Sequence, residues 1–137
     1  MNGGWIDLQV NGYGGVNFNA PGLTVEAVKE VTERLERDGT SGYLPTLVTL
    51  DPELLIESVR TIVAARKKYA VCERNILGFF FEGPFISSEP GAVGAHAPEW
   101  VAKPSKELFG RFRKTCKHQS KAQILAKRRP PENQSDR

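Results

Sequence analysis

Apolar residues along the first eighty positions fall into two kinds of run, short β-rich stretches and longer stretches at helical spacing. Residues 5–10, Trp-Ile-Asp-Leu-Gln-Val, alternate apolar and polar side chains and lead into Asn11-Gly12-Tyr13-Gly14-Gly15, the pattern of a strand followed by a loop. Thr24 then offers an N-cap and Glu26 lies in the first turn; Val25, Val28, Val31 and Leu35 recur at helical spacing before Asp38-Gly39 supplies a stop. Residues 43–49 form a second β-rich run, after which Asp51-Pro52 provides an N-cap with proline at the first helical position. The helix that follows is expected to reach about Tyr69. Its apolar stripe is Leu55, Val59, Ile62 and Val63, and Arg66, Lys67 and Lys68 suit the negative end of its dipole. Residues 76–81 are almost wholly apolar, as in a strand covered by helices on both faces or lining a barrel, and stop at Glu82-Gly83-Pro84.

Strand, helix, strand, helix, strand predicts right-handed β-α-β crossovers and an α/β fold built on a parallel sheet. A third helix is expected over 105–117, after Pro104, and residues 123–126 offer a fourth strand. Residues 127–137, basic and rich in proline, read as a disordered tail. Three or four strands do not close a barrel of the (β/α)8 form, which takes eight.

Composition adds little beyond excluding classes. Of 137 residues, 39% are hydrophobic and 26% charged, ordinary values for one globular domain. No run approaches the ~18 apolar residues of a membrane span, and no charged segment followed by an apolar one opens the chain, so a cytoplasmic protein is expected. Cys72 and Cys116 stand alone without metal-ligand spacing, which favours incidental reduced thiols. The net charge of +3 has a local origin: eight Lys or Arg and no carboxylate lie within 111–129, leaving eleven basic residues against sixteen acidic ones elsewhere. A basic tail explains the charge better than a nucleic-acid-binding face, since the run has no interleaved aromatics.

Ligands of parallel α/β folds meet the carboxyl ends of the strands, which directs attention to Gln9 and Asn11, to Leu44-Pro45-Thr46, and to Glu82. Glu82 ends an apolar strand beside a tight turn. A carboxylate there either binds a cation or stands in solvent at the strand end. Gln9-x-Asn11 places two amides on one strand face, able to hydrogen-bond sugar hydroxyls or an N-acetyl group, or else to satisfy loop backbone. His96 ends the small-residue stretch Gly91-Ala92-Val93-Gly94-Ala95, where an imidazole either meets a ligand or is simply exposed. His118, in the basic run, is assigned no role.

Three ordered stretches, 4–12 (Gly-Trp-Ile-Asp-Leu-Gln-Val-Asn-Gly), 43–49 (Tyr-Leu-Pro-Thr-Leu-Val-Thr) and Glu82-Gly83-Pro84-Phe85-Ile86-Ser87 with Gly94-Ala95-His96, resemble the N-acetylglucosamine-6-phosphate deacetylases of the amidohydrolase superfamily. The resemblance covers residues 3 to about 117. It implies a partial (β/α)8 TIM-type barrel over 3–126, comprising the first three or four β/α units. The implied activity is metal-dependent hydrolysis of N-acetylglucosamine 6-phosphate to glucosamine 6-phosphate and acetate. By the same resemblance Glu82 is the metal ligand, for one zinc or iron(II), and Gln9, Asn11, Ala95 and His96 meet the amino-sugar phosphate. Family members are often homo-oligomeric.

The chain departs from the family pattern at several points. Phe80 stands where the family usually has a histidine, and the segment from Glu82 to His96 is about two residues longer. The two further histidine ligands and the general-base aspartate lie beyond the matched region, so the 137 residues are expected to be inactive alone and to hold metal weakly or not at all. The alternative is a non-catalytic truncated paralogue that binds a sugar phosphate or a protein partner.

Overall fold

A computed structural model describes residues 4–116 and the backbone of 123–126; the expected tail over 127–137, most of the basic run and His118 lie outside the described residues. The chain runs β1 (Trp5–Val10), β2 (Gly12–Tyr13), β3 (Val16–Asn17), α1 (Val25–Arg37), β4 (Thr40–Val48), α2 (Pro52–Lys68), α3 (Ala70–Asn75), β5 (Gly78–Glu82), a 3-10 turn over Pro98–Trp100, α4 (Lys106–Cys116) and β6 (Gln123–Ala126). The expected α/β class with a parallel sheet is what forms. Strands β1, β4, β5 and β6 pair in that spatial order, every pair parallel.

The helices begin where capping chemistry put them. Thr24 accepts a hydrogen bond from the Ala27 amide and Asp51 from the Glu53 amide, satisfying donors that the first turn leaves unpaired. Gly39 follows α1 at φ 92°, a conformation costly for a residue with a Cβ. The second helix ends one residue early because Tyr69 is extended, at φ −124° and ψ 122°. A short helix then follows that periodicity did not announce. It buries Cys72 and Asn75, and the Asn75 carboxamide donates to Glu36 on α1 at 3.1 Å.

One face of the sheet carries the helices. Tyr43, Leu47, Ile76, Phe79 and Phe81 project into a core with Val28, Val31, Val59, Ile62 and Phe112, and Phe81 stacks on Phe112 of α4 with centroids 5.4 Å apart. Burying side chains of this size contributes roughly 1.5–3 kcal/mol each. The Tyr43 hydroxyl keeps a partner, Thr32 Oγ1, at 2.9 Å; burial pushes its pKa up. Both cysteines are free and buried, and burial pushes the Cys116 thiol up to about 12, so neither is primed as a nucleophile.

Irregularities of register set which residues face the other way. Register shifts separate Asp7 from Val10 along β1, and the Asp7 carboxylate accepts the Gln9 amide at 2.9 Å. Strict alternation along the first strand therefore fails: Val10 reaches the helix-side core, whereas Ile6 pairs with Gly42 on the opposite face. The Tyr43–Ile76 bridge and the Thr46–Phe80 pair enclose one extra residue on the β5 side. Pro45 lies between these irregularities, which explains how a residue without an N–H sits in a central strand.

That second face has no helix on it among the described residues. Over β4, Ile6 and Leu77 from opposite flanks bring methyl groups to 3.1 and 2.8 Å from where a Cβ on Gly42 would lie. Ile6 and Leu77 stay 51% and 39% exposed there. No described helix is long and apolar enough to cross a membrane.

Candidate functional site

The carboxyl ends of the strands gather the residues singled out above, and β4 is the span across which they meet. Gln9 on β1 donates from Nε2 to Glu82 Oε2 on β5 at 3.1 Å. The two strands do not touch, since β4 runs between them. Both side chains therefore lean over β4. Glu82 is half-buried, with Phe80 two residues below on the same face. The remaining members of the expected set contribute less. Asn11 lies past the end of β1 in a bend, so it does not share a strand face with Gln9, and it offers its backbone carbonyl to Phe18 N at 3.0 Å. Ala95 is exposed in a turn closed by the His96 amide on the Val93 carbonyl. In β4, Thr46 is buried with its hydroxyl on the Leu44 carbonyl, so it is spent on its own strand.

Thr49, just past β4, ties these parts together and was read only as the last residue of a strand. Its amide donates to His96 Nδ1 at a long 3.5 Å and its hydroxyl to the Glu82 carbonyl at 3.5 Å. An Nδ1 that accepts leaves the ring proton on Nε2. Gly83 is required beside it. Its φ is 133°, and a Cβ there would lie 2.0 Å from Thr49 Oγ1. Gly83→Ala is expected to destabilise the chain by roughly 2–4 kcal/mol, whereas Gly91→Ala, at φ 84° with nothing within 4 Å of the added carbon, should cost only about 1 kcal/mol. Urea unfolding midpoints of the two variants test the difference.

Asn19 was also missed. Its carboxamide holds the Asn11–Asn19 loop against the end of β4, donating to the Thr46 carbonyl at 3.0 Å and accepting the Val48 amide at 2.9 Å.

A metal fits this donor set only in part. Among the described residues no three His, Cys, Asp or Glu side chains converge. Glu82 supplies one carboxylate, with Gln9 already on one of its oxygens, and catalytic zinc is commonly held by three protein ligands. The described aspartates are otherwise engaged, Asp7 by the Gln9 amide, Asp38 by the Tyr13 hydroxyl and Asp51 as the cap of α2.

The sequence is 33% identical over 109 residues to the N-acetylglucosamine-6-phosphate deacetylase of Haemophilus influenzae, covering 79% of this chain and 27% of that protein. It is 38% identical over 112 residues to the human enzyme of the same name, covering 80% and 27%. The fold matches a crystal structure of N-acetylglucosamine-6-phosphate deacetylase from Pasteurella multocida with a TM-score of 0.69 and 32% identity, over 82% of this chain and 28% of that one. This chain is related to the N-acetylglucosamine-6-phosphate deacetylases. It spans little more than a quarter of the length of those relatives, and no protein-family model matches it. The similarity covers about four-fifths of this chain.

Proposed function

We propose that these residues form the leading β/α units of a (β/α)8 barrel that hydrolyses the acetamide of N-acetylglucosamine 6-phosphate, in the cytoplasm, giving glucosamine 6-phosphate and acetate. The hydrogen bond from Gln9 to Glu82 across β4 is the observation that carries the reading. It brings side chains from the ends of two non-adjacent strands together across β4, which supports a site built at the carboxyl ends of barrel strands. The strand order supports it. Successive strands are neighbours without reversal, whereas open doubly wound sheets place their ligands where the order reverses. The layering agrees as well, because Ile6, Gly42 and Leu77 make an apolar floor below a polar rim, as in barrels filled by side chains with chemistry at the carboxyl face.

In this reading Glu82 contributes one carboxylate to a divalent metal, zinc or iron(II), whose other ligands come from outside the described residues. The metal when bound would polarise the acetamide carbonyl or activate water. This chain's own residues bind and orient. Gln9 spends one N–H on Glu82 and keeps its carbonyl and second N–H for the amino-sugar phosphate. His96, with Nδ1 turned to the Thr49 amide, offers Nε2–H to a sugar or phosphate oxygen, and the neighbouring Asn11 and Ala95 line the same rim. Homo-oligomers like those of the family are part of this proposal.

The test uses a hybrid in which this segment replaces its counterpart in the Pasteurella multocida relative. Gln9→Ala and His96→Ala are expected to raise KM about tenfold or more, the loss of one or two hydrogen bonds to ligand, while bound metal per chain, measured at saturating metal, stays unchanged. Loss of metal with either substitution would show that the division of roles is wrong.

A further inference from the structure

Beyond Val10 the sheet has a gap. β1 pairs with β4 only as far as Val10 opposite Pro45, and the chain then turns away into the β2–β3 hairpin, yet β4 continues to Val48. Thr46 O and Val48 N would be left without a strand beside them, and unmade hydrogen bonds at partly buried backbone cost about 1–3 kcal/mol each.

Asn19 fills the gap with a side chain. In a parallel ladder one residue donates its N–H to the carbonyl of residue i opposite and accepts the N–H of residue i+2 with its carbonyl. The Asn19 carboxamide does both, with Nδ2 on Thr46 O at 3.0 Å and Oδ1 on Val48 N at 2.9 Å. Its Nδ2 also reaches Asn11 O at 3.4 Å, where Phe18 N donates at 3.0 Å. The Asn19 amide is itself fixed by Asn17 Oδ1 at 2.8 Å, and Phe18 is fully buried and stacked on Tyr43.

We propose that Asn19 is a positioning residue for the carboxyl-edge site: its carboxamide stands in for one strand residue beyond the end of β1, so that the 9–11 segment stays against β4 and the Gln9 amide meets Glu82. As a role in substrate handling it rests on the deacetylase reading; as a statement about geometry it can be tested alone. Asparagine is the residue that can do this. Asp keeps an acceptor for Val48 N but faces two carbonyls with an oxygen, and Leu keeps the volume but offers neither group.

Nuclear magnetic resonance on the full 137-residue chain, at a concentration low enough that light scattering shows no association, separates these cases. In wild type the Val48 amide should exchange slowly. Exchange there is expected to quicken at least about tenfold in Asn19→Leu and by less in Asn19→Asp, while the Gln9 side-chain amide resonances move in both and the amides of Val59 and Phe79 keep wild-type protection. Val48 exchange or Gln9 resonances unchanged in Asn19→Leu would overturn the proposal. So would equal loss of protection throughout the core in both variants, which would make Asn19 a residue of the fold at large. Fast Val48 exchange in wild type would overturn it without any variant. Titrating wild type with N-acetylglucosamine 6-phosphate then tests the deacetylase reading separately: shifts at Gln9 and His96 support it, and their absence counts against that reading while the exchange results still decide the role of Asn19.

Discussion

Glu82→Gln in the hybrid is expected to lower metal affinity by about two orders of magnitude or more and to take turnover down with it. The substitution keeps the shape of the side chain and leaves a carboxamide oxygen for the Gln9 amide, so the contact across β4 at 3.1 Å need not be lost. It removes the charge. Loss of a residue that merely supports a ligand typically costs 10–100-fold in metal affinity, and a carboxylate that itself binds the cation should cost at least as much. Stability should change little, because Glu82 is only half-buried and its backbone contact, the Thr49 hydroxyl on its carbonyl, survives the change. Elemental analysis of the purified variant gives the answer. Metal per chain equal to wild type would remove Glu82 from the metal centre.

The 137 residues by themselves should release no acetate from N-acetylglucosamine 6-phosphate and should self-associate. The chemical half of this expectation follows from the inventory at the strand ends. Glu82 lies there, and no group of three His, Cys, Asp or Glu side chains gathers among the described residues. Each described aspartate is already bound elsewhere, and absence of a positioned general base alone costs about 10²–10⁴ in rate. The physical half follows from surface. β1 is an edge strand with Trp5 81% exposed, and Ile6, Leu8 and Leu77 stand exposed. Unpaired strand edges beside apolar side chains favour pairing with another chain. Light scattering alongside an acetate assay with added zinc or iron(II) tests both. Metal-dependent turnover by a monodisperse monomer would contradict them and would require a base among residues that here serve structure.

The parts of the fold legible in the sequence were those with local causes. Thr24 and Asp51 cap their helices as their side chains dictate, the stripes of α1 and α2 are buried as their spacing implies, and the apolar run of β5 ends at Glu82. What stayed hidden depends on pairs distant in sequence or on elements too short to carry a period. The β2–β3 hairpin has two residues per strand and turns on Gly14 and Gly15 at φ 60° and 90°, so only the glycines marked it. The six residues of α3 span less than two turns. The register shift after Asp7 reassigns the faces of β1, and alternation alone cannot reveal an inserted residue. At the site, Gln9 and Glu82 were visible from their places at strand ends, although not that they touch. Thr49 and Asn19 act through partners 47 and 29 positions away, and no spacing rule within one element points to them. The small residues before His96 suggest a loop whose backbone can approach a ligand, but its tie to the Thr49 amide belongs to the folded chain.

The central claim is that this segment supplies one side of a deacetylase barrel mouth, and the hybrid with the Pasteurella multocida relative tests it most directly. The measurement is acetate released per bound metal from N-acetylglucosamine 6-phosphate by the purified, monodisperse hybrid. The account predicts metal-dependent release that falls sharply with Glu82→Gln and recovers substrate saturation at higher concentration with Gln9→Ala. A hybrid that folds and binds metal yet releases no acetate would contradict it.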